Sequence, residues 1–227
     1  MAIGSFETSI FKSNGYIHMC GRLNIIDDPL TKVVSELLGI DFLTQSNSNL
    51  CPSEEISTIG LLDNHVTQIN ANWGIKPDWA KKLLINAQVE TVASKKTFKK
   101  AFSEFRCIVP FSGWYEWKST DTGKKQKFLF DQESKPLYMG AILYKNPAQA
   151  YKPDLLAGLT DAVRPQDIDY SLVTITTKAS AQCSEIHHRM PLLIPAESIN
   201  QWLFGDLNDG SSLMTNRNEL FRISPAN

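Results

Sequence analysis

Strand-like segments dominate this sequence, and the stretches between them are short. Six segments are rich in β-branched and aromatic residues, which favour strands. They span residues 66–73, 107–118, 127–130, 137–144, 155–159 and 172–177. Parallel pairing of successive strands needs a crossover of roughly a dozen residues or more, and many of these connections are too short for a helical one. The sequence therefore predicts an α+β domain with a mainly antiparallel β-sheet or barrel-like core and flanking helices.

Three helices are predicted beside this core, over residues 27–39, 94–104 and 196–204. In the first, Asp28 can cap the amino-terminal end and Gly39 can end the helix. In the second, Phe98, Ala101 and Phe102 form an inward stripe, with four lysines on the outer side. The polar run at 44–53 predicts a loop, and the TDTGKK sequence predicts a hairpin turn.

Composition places the chain among soluble globular proteins of one domain. Its 227 residues are 42% hydrophobic and 21% charged, which excludes a disordered tail, and no repeat or linker divides them. No run approaches the roughly 18 apolar residues of a membrane span, and residues 1–18 lack a secretory signal, so we expect a cytoplasmic protein without a membrane partner. Its cysteines lack CxxC spacing, so no metal, cofactor or disulfide is predicted.

Positive charge is concentrated in one part of the chain. Residues 92–127 contain nine basic and three acidic residues, although the net charge of the whole chain is -1. A basic zone on an otherwise acidic protein suits a polyanionic partner. A solvated helix followed by a lysine-rich turn explains the same pattern without any partner.

Four short motifs contain reactive or polar groups beside residues that shape the backbone. They are MCGR at 19–22, INAQVET at 85–91, SGWYEWK at 112–118 and IHHRMP at 186–191. Each residue has a simple structural explanation. Cys20 can be a small buried hydrophobe, Asn86 a bridging amide, and Glu116 a carboxylate that faces water opposite its aromatic neighbours. His187 and His188 are adjacent, so only one of them can point into a given cleft.

Together the motifs resemble the SOS response-associated peptidase family, the abasic-site processing proteins. The resemblance runs from Met19 to about Trp202. It rests on the four motifs and, between them, on Asn49, Pro52, Trp73 and Gly74. Because these residues occur in the family's order along one chain, together they are highly specific for this family.

The resemblance implies that the protein binds single-stranded DNA and traps an abasic site on an amino-terminal cysteine, here Cys20. A 1,2-aminothiol suits this chemistry, because the amine condenses with the aldehyde of the opened sugar and the sulfur then closes a thiazolidine ring. An internal cysteine cannot form the ring, because its nitrogen is an amide.

Residues 1–19 depart from the family pattern, because they leave Cys20 internal. Three explanations stay open: synthesis starts at Met19, whose removal exposes Cys20; residues 1–19 are a propeptide that the domain cuts; or the activity is lost. The predicted organisation is therefore an extension or propeptide at 1–19 and a family domain at 20–227.

The resemblance also assigns roles within the reaction. Glu116 matches the family's acid/base glutamate, and its aromatic neighbours are expected to raise its pKa. His187 matches the residue that steadies the opened sugar and the imine. Asn86 is expected to orient the cysteine or the carboxylate, and Asn49 to line the same pocket.

DNA contacts are expected to come from cations and aromatic faces, since a lesion occurs in any sequence. Arg22 and Arg189 are predicted to grip phosphates. Trp73 is either a stacking residue or part of the core. Gln88 stands where the family commonly has arginine, and Lys95 and its neighbours are predicted to compensate.

Two rival functions use the same residues. The first is a cysteine peptidase in which Cys20, His187 and Glu116 cleave peptide bonds, either in other proteins or only in this chain, between Met19 and Cys20. The second is a DNA-binding module that has lost the chemistry. A monomer is expected in each case, and the sequence does not identify replication or repair partners.

Overall fold

The structure is a computed structural model that describes residues 20–120, 122–133, 135–146, 169–207 and 220–226. Residues 1–19 and the strand predicted at 155–159 lie outside the described residues. The strands are β1 (Leu23–Ile25), β2 (Asn47–Leu50), β3 (Glu55–Leu62), β4 (His65–Trp73), β5 (Asn86–Gln88), β6 (Arg106–Phe111), β7 (Gly113–Ser119), β8 (Lys125–Asp131), β9 (Leu137–Lys145), β10 (Tyr170–Lys178), β11 (Arg189–Pro191) and β12 (Arg222–Ala226). The α-helices are α1 (Asp27–Leu38), α2 (Val89–Val92), α3 (Lys96–Glu104), α4 (Ala181–Ser184) and α5 (Ile199–Phe204).

Five of these strands close into a ring because β10 pairs at both of its edges. The order is β10, β4, β3, β6, β9 and back to β10. The β3–β4 hairpin turns at Asp63 and Asn64, whose positive φ angles of 47° and 66° suit a two-residue turn. Pairing is antiparallel except that β10 runs parallel to β4 and to β5. The predicted α+β class with a mainly antiparallel core is confirmed.

A second sheet of five antiparallel strands has the order β12, β8, β7, β1, β2. The chain passes from the ring into this sheet at Ser112, so the single strand predicted at 107–118 is wrong and is divided into β6 and β7. Gly113 follows the break, and a Cβ there would lie 2.6 Å from the carbonyl oxygen of Phe130. Only glycine allows β8 to approach β7 so closely.

The helices follow the predictions with local differences. Gly39 ends α1 with a φ of 65°, as predicted, but Asp28 is not the cap: it lies within the helix bounds with extended φ and ψ angles. Helix α3 buries the predicted apolar stripe. Residues 196–198 form a 3-10 turn before α5, and the loop predicted at 44–53 contains β2. No helix within the described ranges is long and apolar enough to cross a bilayer.

The core is continuous through the ring, between the ring and the second sheet, and beneath the helices. Trp202 of α5 is fully buried against β9, where a Cβ on Gly140 would lie 3.0 Å from its ring. Its Nε1 donates to the carbonyl oxygen of Cys107 at 2.8 Å. Such burial of large aromatic side chains provides much of the free energy of folding.

Candidate active site

Strand β7 places the carboxyl group of Glu116 inside the protein. Side chains alternate along a strand, so Tyr115 and Trp117 share one face and Glu116 points to the other. Glu116 is only 2% exposed, so the interpretation in which it meets water is wrong. Burial raises the pKa of Glu116 to about 7, and hydrogen bonds from Cys20 oppose that rise.

Cys20 lies against this carboxyl group. The pairing of β1 with β7, at Leu23 and Trp114, brings the start of the described chain alongside Glu116. The backbone nitrogen of Cys20 donates to Glu116 Oε1 at 2.8 Å. Burial, and next the charge of Glu116, raise the pKa of the Cys20 thiol well above its usual value, so it stays protonated at neutral pH.

His187 completes the cluster from the segment between α4 and β11. Its Nδ1 lies 3.9 Å from Glu116 Oε1, and its backbone nitrogen donates to the carbonyl oxygen of Cys183 at 3.0 Å. Burial lowers the pKa of His187, which favours the neutral ring. Its Nε2 is buried and has no hydrogen-bond partner among the described residues. His188 is exposed, so of the two adjacent histidines only His187 enters the site.

Arg22 and Asn49 contact each other next to β7. Arg22 Nη1 donates to Asn49 Oδ1 at 2.8 Å, and the guanidinium lies 6.0 Å from the ring centroid of Trp117. Because side chains alternate along β7, Trp117 lies on the face of the strand opposite Glu116. The phosphate contact of Arg22 and the pocket position of Asn49 stay predictions.

Asn86 is fixed at the edge of β10. Strand β5 pairs Asn86 with Thr174, and Thr174 Oγ1 donates to Asn86 Oδ1. The half-buried amide is therefore anchored to the ring. Its role in orienting Cys20 or Glu116 stays a prediction.

Comparisons with known proteins identify the family of this chain. The family model for SOS response associated peptidase (SRAP) matches residues 19–223. This chain belongs to the SRAP family. Abasic site processing protein YoqW of Bacillus subtilis (strain 168) is 29% identical over 195 residues, which cover 82% of this chain and 80% of the relative. Abasic site processing protein YedK of Escherichia coli (strain K12) is 29% identical over 156 residues, or 68% of this chain and 63% of that protein.

Solved structures share the SRAP chain's fold. A phage-related protein of Bordetella bronchiseptica superposes with a TM-score of 0.69 at 22% identity, covering 91% of this chain and 94% of that one. A second protein from the same organism gives a TM-score of 0.72 at 17% identity and covers 92% and 100% of the two chains. Both likenesses concern the fold alone.

Arg189 has a different position in this SRAP domain from the one predicted. Its side chain is 10% exposed, and both terminal nitrogens bind the carboxylate of Glu90, at 2.6 and 2.9 Å. The phosphate contact predicted for Arg189 therefore needs correction, because its guanidinium already has a carboxylate partner. Glu90 belongs to the INAQVET motif but was assigned no role from the sequence.

The structure also decides between the two interpretations of Trp73. The side chain is fully buried, and its Nε1 donates to the carbonyl oxygen of Ile85 at 3.2 Å, so no ring surface is free to stack on a base. Of the two interpretations left open for Trp73, the core residue is the one observed. Gln88 and Lys95 are both exposed, and their contacts with DNA stay predictions of the SRAP assignment.

Proposed function

We propose that this protein binds single-stranded DNA and traps an abasic site covalently through Cys20. The observation that carries the proposal is the 2.8 Å hydrogen bond between the Cys20 nitrogen and Glu116 Oε1. This bond supports the proposal, because the nitrogen that would attack an aldehyde lies beside a buried carboxyl group. The names of relatives such as YoqW, an abasic site processing protein, support the choice of lesion.

The nitrogen of Cys20 becomes reactive when residue 20 is the first of the mature chain. It is then an α-amine, with a reference pKa of about 7.7 to 8.0, instead of an amide. The amine adds to the aldehyde carbon and water leaves, which gives an imine. The Cys20 sulfur adds to the imine carbon, and the thiol proton ends on the ring nitrogen. No oxidant or reductant is needed.

Glu116 can serve both proton transfers of this sequence. With a pKa of about 7, the carboxyl group exists in both protonation states at neutral pH. The protonated form can donate to the ring oxygen of the sugar as it opens, and the carboxylate can accept a proton from the amine or from the thiol.

His187 suits the stabilisation of the opened sugar. Its ring is neutral because burial lowers its pKa, and its Nε2 lacks a hydrogen-bond partner in the described structure. A buried polar atom without a partner costs free energy, and a hydroxyl group of the opened sugar would satisfy it.

Self-cleavage before Cys20 is the second candidate function. It is favoured by the same hydrogen bond, because a protonated Glu116 could give its proton to the nitrogen that leaves when the Met19–Cys20 bond breaks. One water is consumed: its oxygen adds to the carbonyl carbon of Met19, which leaves as a carboxyl group, and Cys20 and His187 assist this step. The other product is the amino-terminal cysteine that trapping requires.

Intact-mass analysis of the protein made in its native cells is the first test, because it identifies the first residue. That protein is then incubated with a single-stranded oligonucleotide containing one abasic site. We expect a heat-stable adduct whose mass is the sum of the two molecules less one water.

Cysteine variants complete this test. Cys20→Ala should bind the oligonucleotide with unchanged affinity and form no adduct, whereas the half-buried Cys51 provides a matched control, and Cys51→Ala should behave as the wild type. A protein that begins with Cys20 and still forms no adduct would contradict trapping. An adduct formed by a chain that keeps residues 1–19 would contradict the role of the free amine.

A further inference from the structure

We propose that Glu90 is a positioning residue, which acts through Arg189 to hold the ring of His187 in the orientation that the reaction at Cys20 needs. The inference rests on the proposed function, but it concerns a carboxylate that the chemistry above does not use. Glu90 contacts Arg189, and Arg189 contacts His187.

The contact between Glu90 and Arg189 is a bidentate ion pair. Nη1 of Arg189 donates to Glu90 Oε1 at 2.6 Å, and Nη2 donates to Oε2 at 2.9 Å. Two parallel hydrogen bonds fix the plane of the guanidinium as well as its distance. Hydrogen bonding to Arg189 lowers the pKa of Glu90, so the pair stays charged at neutral pH. Arg189 is almost fully buried and Glu90 is half-exposed.

This ion pair connects two elements that lie on opposite edges of β10. Glu90 lies on α2, directly after β5, and Arg189 begins β11. Both β5 and β11 pair with β10, at Thr176 and its neighbours. Nη2 of Arg189 also donates to the carbonyl oxygen of Thr176 at 2.7 Å. The side chain of Arg189 therefore fixes the start of β11 relative to α2 and β10.

The backbone of Arg189 in turn surrounds Nδ1 of His187. Its N–H lies 3.2 Å from Nδ1, and its carbonyl oxygen lies 3.1 Å from the same atom. A neutral Nδ1 can accept from the N–H, and a protonated Nδ1 can donate to the carbonyl, so the ring has a partner in either state. The free Nε2 keeps a constant direction as long as Arg189 stays in place.

Loss of the carboxylate should loosen this arrangement. In Glu90→Gln the buried guanidinium keeps its charge but loses its counter-charge, which is costly in a buried environment. We expect the start of β11 to shift outward and water to reach His187. A displacement of about 1 Å at a reacting group lowers rates by about 100-fold, so the adduct should form about 10- to 100-fold more slowly. Affinity for the abasic oligonucleotide should stay within about twofold of the wild type, because Glu90 touches no proposed DNA contact.

Titration of His187 by NMR provides a readout that is independent of activity and uses the full chain. The charged and titratable groups that contact the ring or act on its charge are Glu116, His188 and Arg189, and the thiols of Cys20 and Cys183 belong to the same cluster. Release from burial should raise the pKa of His187 in Glu90→Gln. A simple loss of negative charge, with the ring still in place, would lower it. The sign of the shift therefore separates positioning from a direct charge effect.

Two further variants complete the series. Glu90→Asp keeps the charge and should recover most of the rate and the wild-type pKa of His187. Glu133→Gln removes another exposed carboxylate, one paired with Arg222 at 3.7 Å, and should change neither. An unchanged rate together with an unchanged pKa of His187 in Glu90→Gln, or a lowered pKa, would overturn the inference. A wild-type protein that forms no adduct would contradict the proposed function instead, and the titration of His187 would then decide on Glu90 alone.

Discussion

The backbone nitrogen of Cys20 lies 2.8 Å from Oε1 of Glu116, inside a cluster whose carboxyl group is almost completely removed from water. The proposed reaction requires this nitrogen to be a free amine, so in that proposal the bond between residues 19 and 20 separates an inert protein from a reactive one. We expect its removal to leave the amine beside a carboxyl group that the fold has already positioned.

The first prediction concerns stability. The pKa of Glu116 rises from 4.5 to about 7 in the folded protein. A raised carboxyl pKa means that the native state holds its proton more tightly than the unfolded state, so stability falls as pH increases from 4.5 to about 7. Glu116→Gln has no carboxyl group at this position, so its stability does not fall in this way. The free energy of unfolding of Glu116→Gln, measured in urea relative to the wild type, should therefore increase by about 3 kcal/mol between pH 4 and pH 8.

Glu104→Gln is the matched control for this measurement. Glu104 lies on the exposed side of α3, 4.0 Å from Lys100. The free energy of unfolding of Glu104→Gln, relative to the wild type, should change by less than about 0.5 kcal/mol over the same pH range. A Glu116→Gln difference that does not depend on pH would contradict the raised pKa of Glu116.

The second prediction concerns the rate of adduct formation. In the proposed mechanism, ring opening uses protonated Glu116 and imine formation uses the neutral amine, so we expect the rate to follow a bell-shaped curve with its maximum near pH 7 to 8. Glu116→Gln should slow the reaction by about 100-fold or more and remove the high-pH limb of the curve. Affinity for the abasic oligonucleotide should not change. Equal single-turnover rates for the two proteins would contradict the acid/base role.

The third prediction separates two tryptophans. Trp73 is fully buried in the core, whereas Trp79 is 68% exposed. Trp73→Ala should lower the free energy of unfolding by about 3 to 5 kcal/mol, because it leaves a large cavity in the core. Trp79→Ala should change it by less than about 0.5 kcal/mol. Similar urea midpoints for the two variants would contradict the core position of Trp73.

The fourth prediction concerns salt. Gln88 and Lys95 are exposed, and each is predicted to lie along the path of the DNA backbone. If so, Gln88→Arg should steepen the plot of log affinity against log salt concentration by about 0.7, and Lys95→Gln should make it shallower by about 0.7. Lys32→Gln, on the exposed face of α1 beside Glu36, should leave the slope unchanged. Identical slopes in all four proteins would remove both residues from the DNA path.

The sequence predicted the core strands β4, β8, β9 and β10 and the region of β6 and β7, because such segments have a clear pattern of side chains. It did not predict β3, although this strand belongs to the ring and buries Ile56 and Ile59, or the short strands β1, β2, β5, β11 and β12. It also did not predict the division of 107–118 at Ser112. That division depends on the close approach of β8 at Gly113, which involves residues distant in the sequence. Tertiary contacts of this kind leave little trace in a local pattern.

The proximity of some motif residues could be predicted from the sequence, but the partners of other side chains could not. Cys20, Glu116 and His187 were expected together, and the structure brings them together. Arg189 was assigned to DNA because a cation in a DNA-binding family suggests a phosphate, but Glu90 occupies its guanidinium. Ion pairs between motifs nearly a hundred residues apart cannot be recognised from a single sequence.

Closure of the ring at β10 has a mechanical consequence for ligands. Strand β10 has neighbours along both edges, and it carries the anchors of Asn86 on one side and of Arg189 on the other. Moving Asn86 and Arg189 apart would break hydrogen bonds between β10 and its neighbouring strands. A closed ring of strands resists such movement more than a loop or a free sheet edge does. In the proposed function, a DNA strand that enters this site would therefore have to adapt its conformation to the protein, because the distance between the two anchors is set by the pairing of β10 with its neighbours.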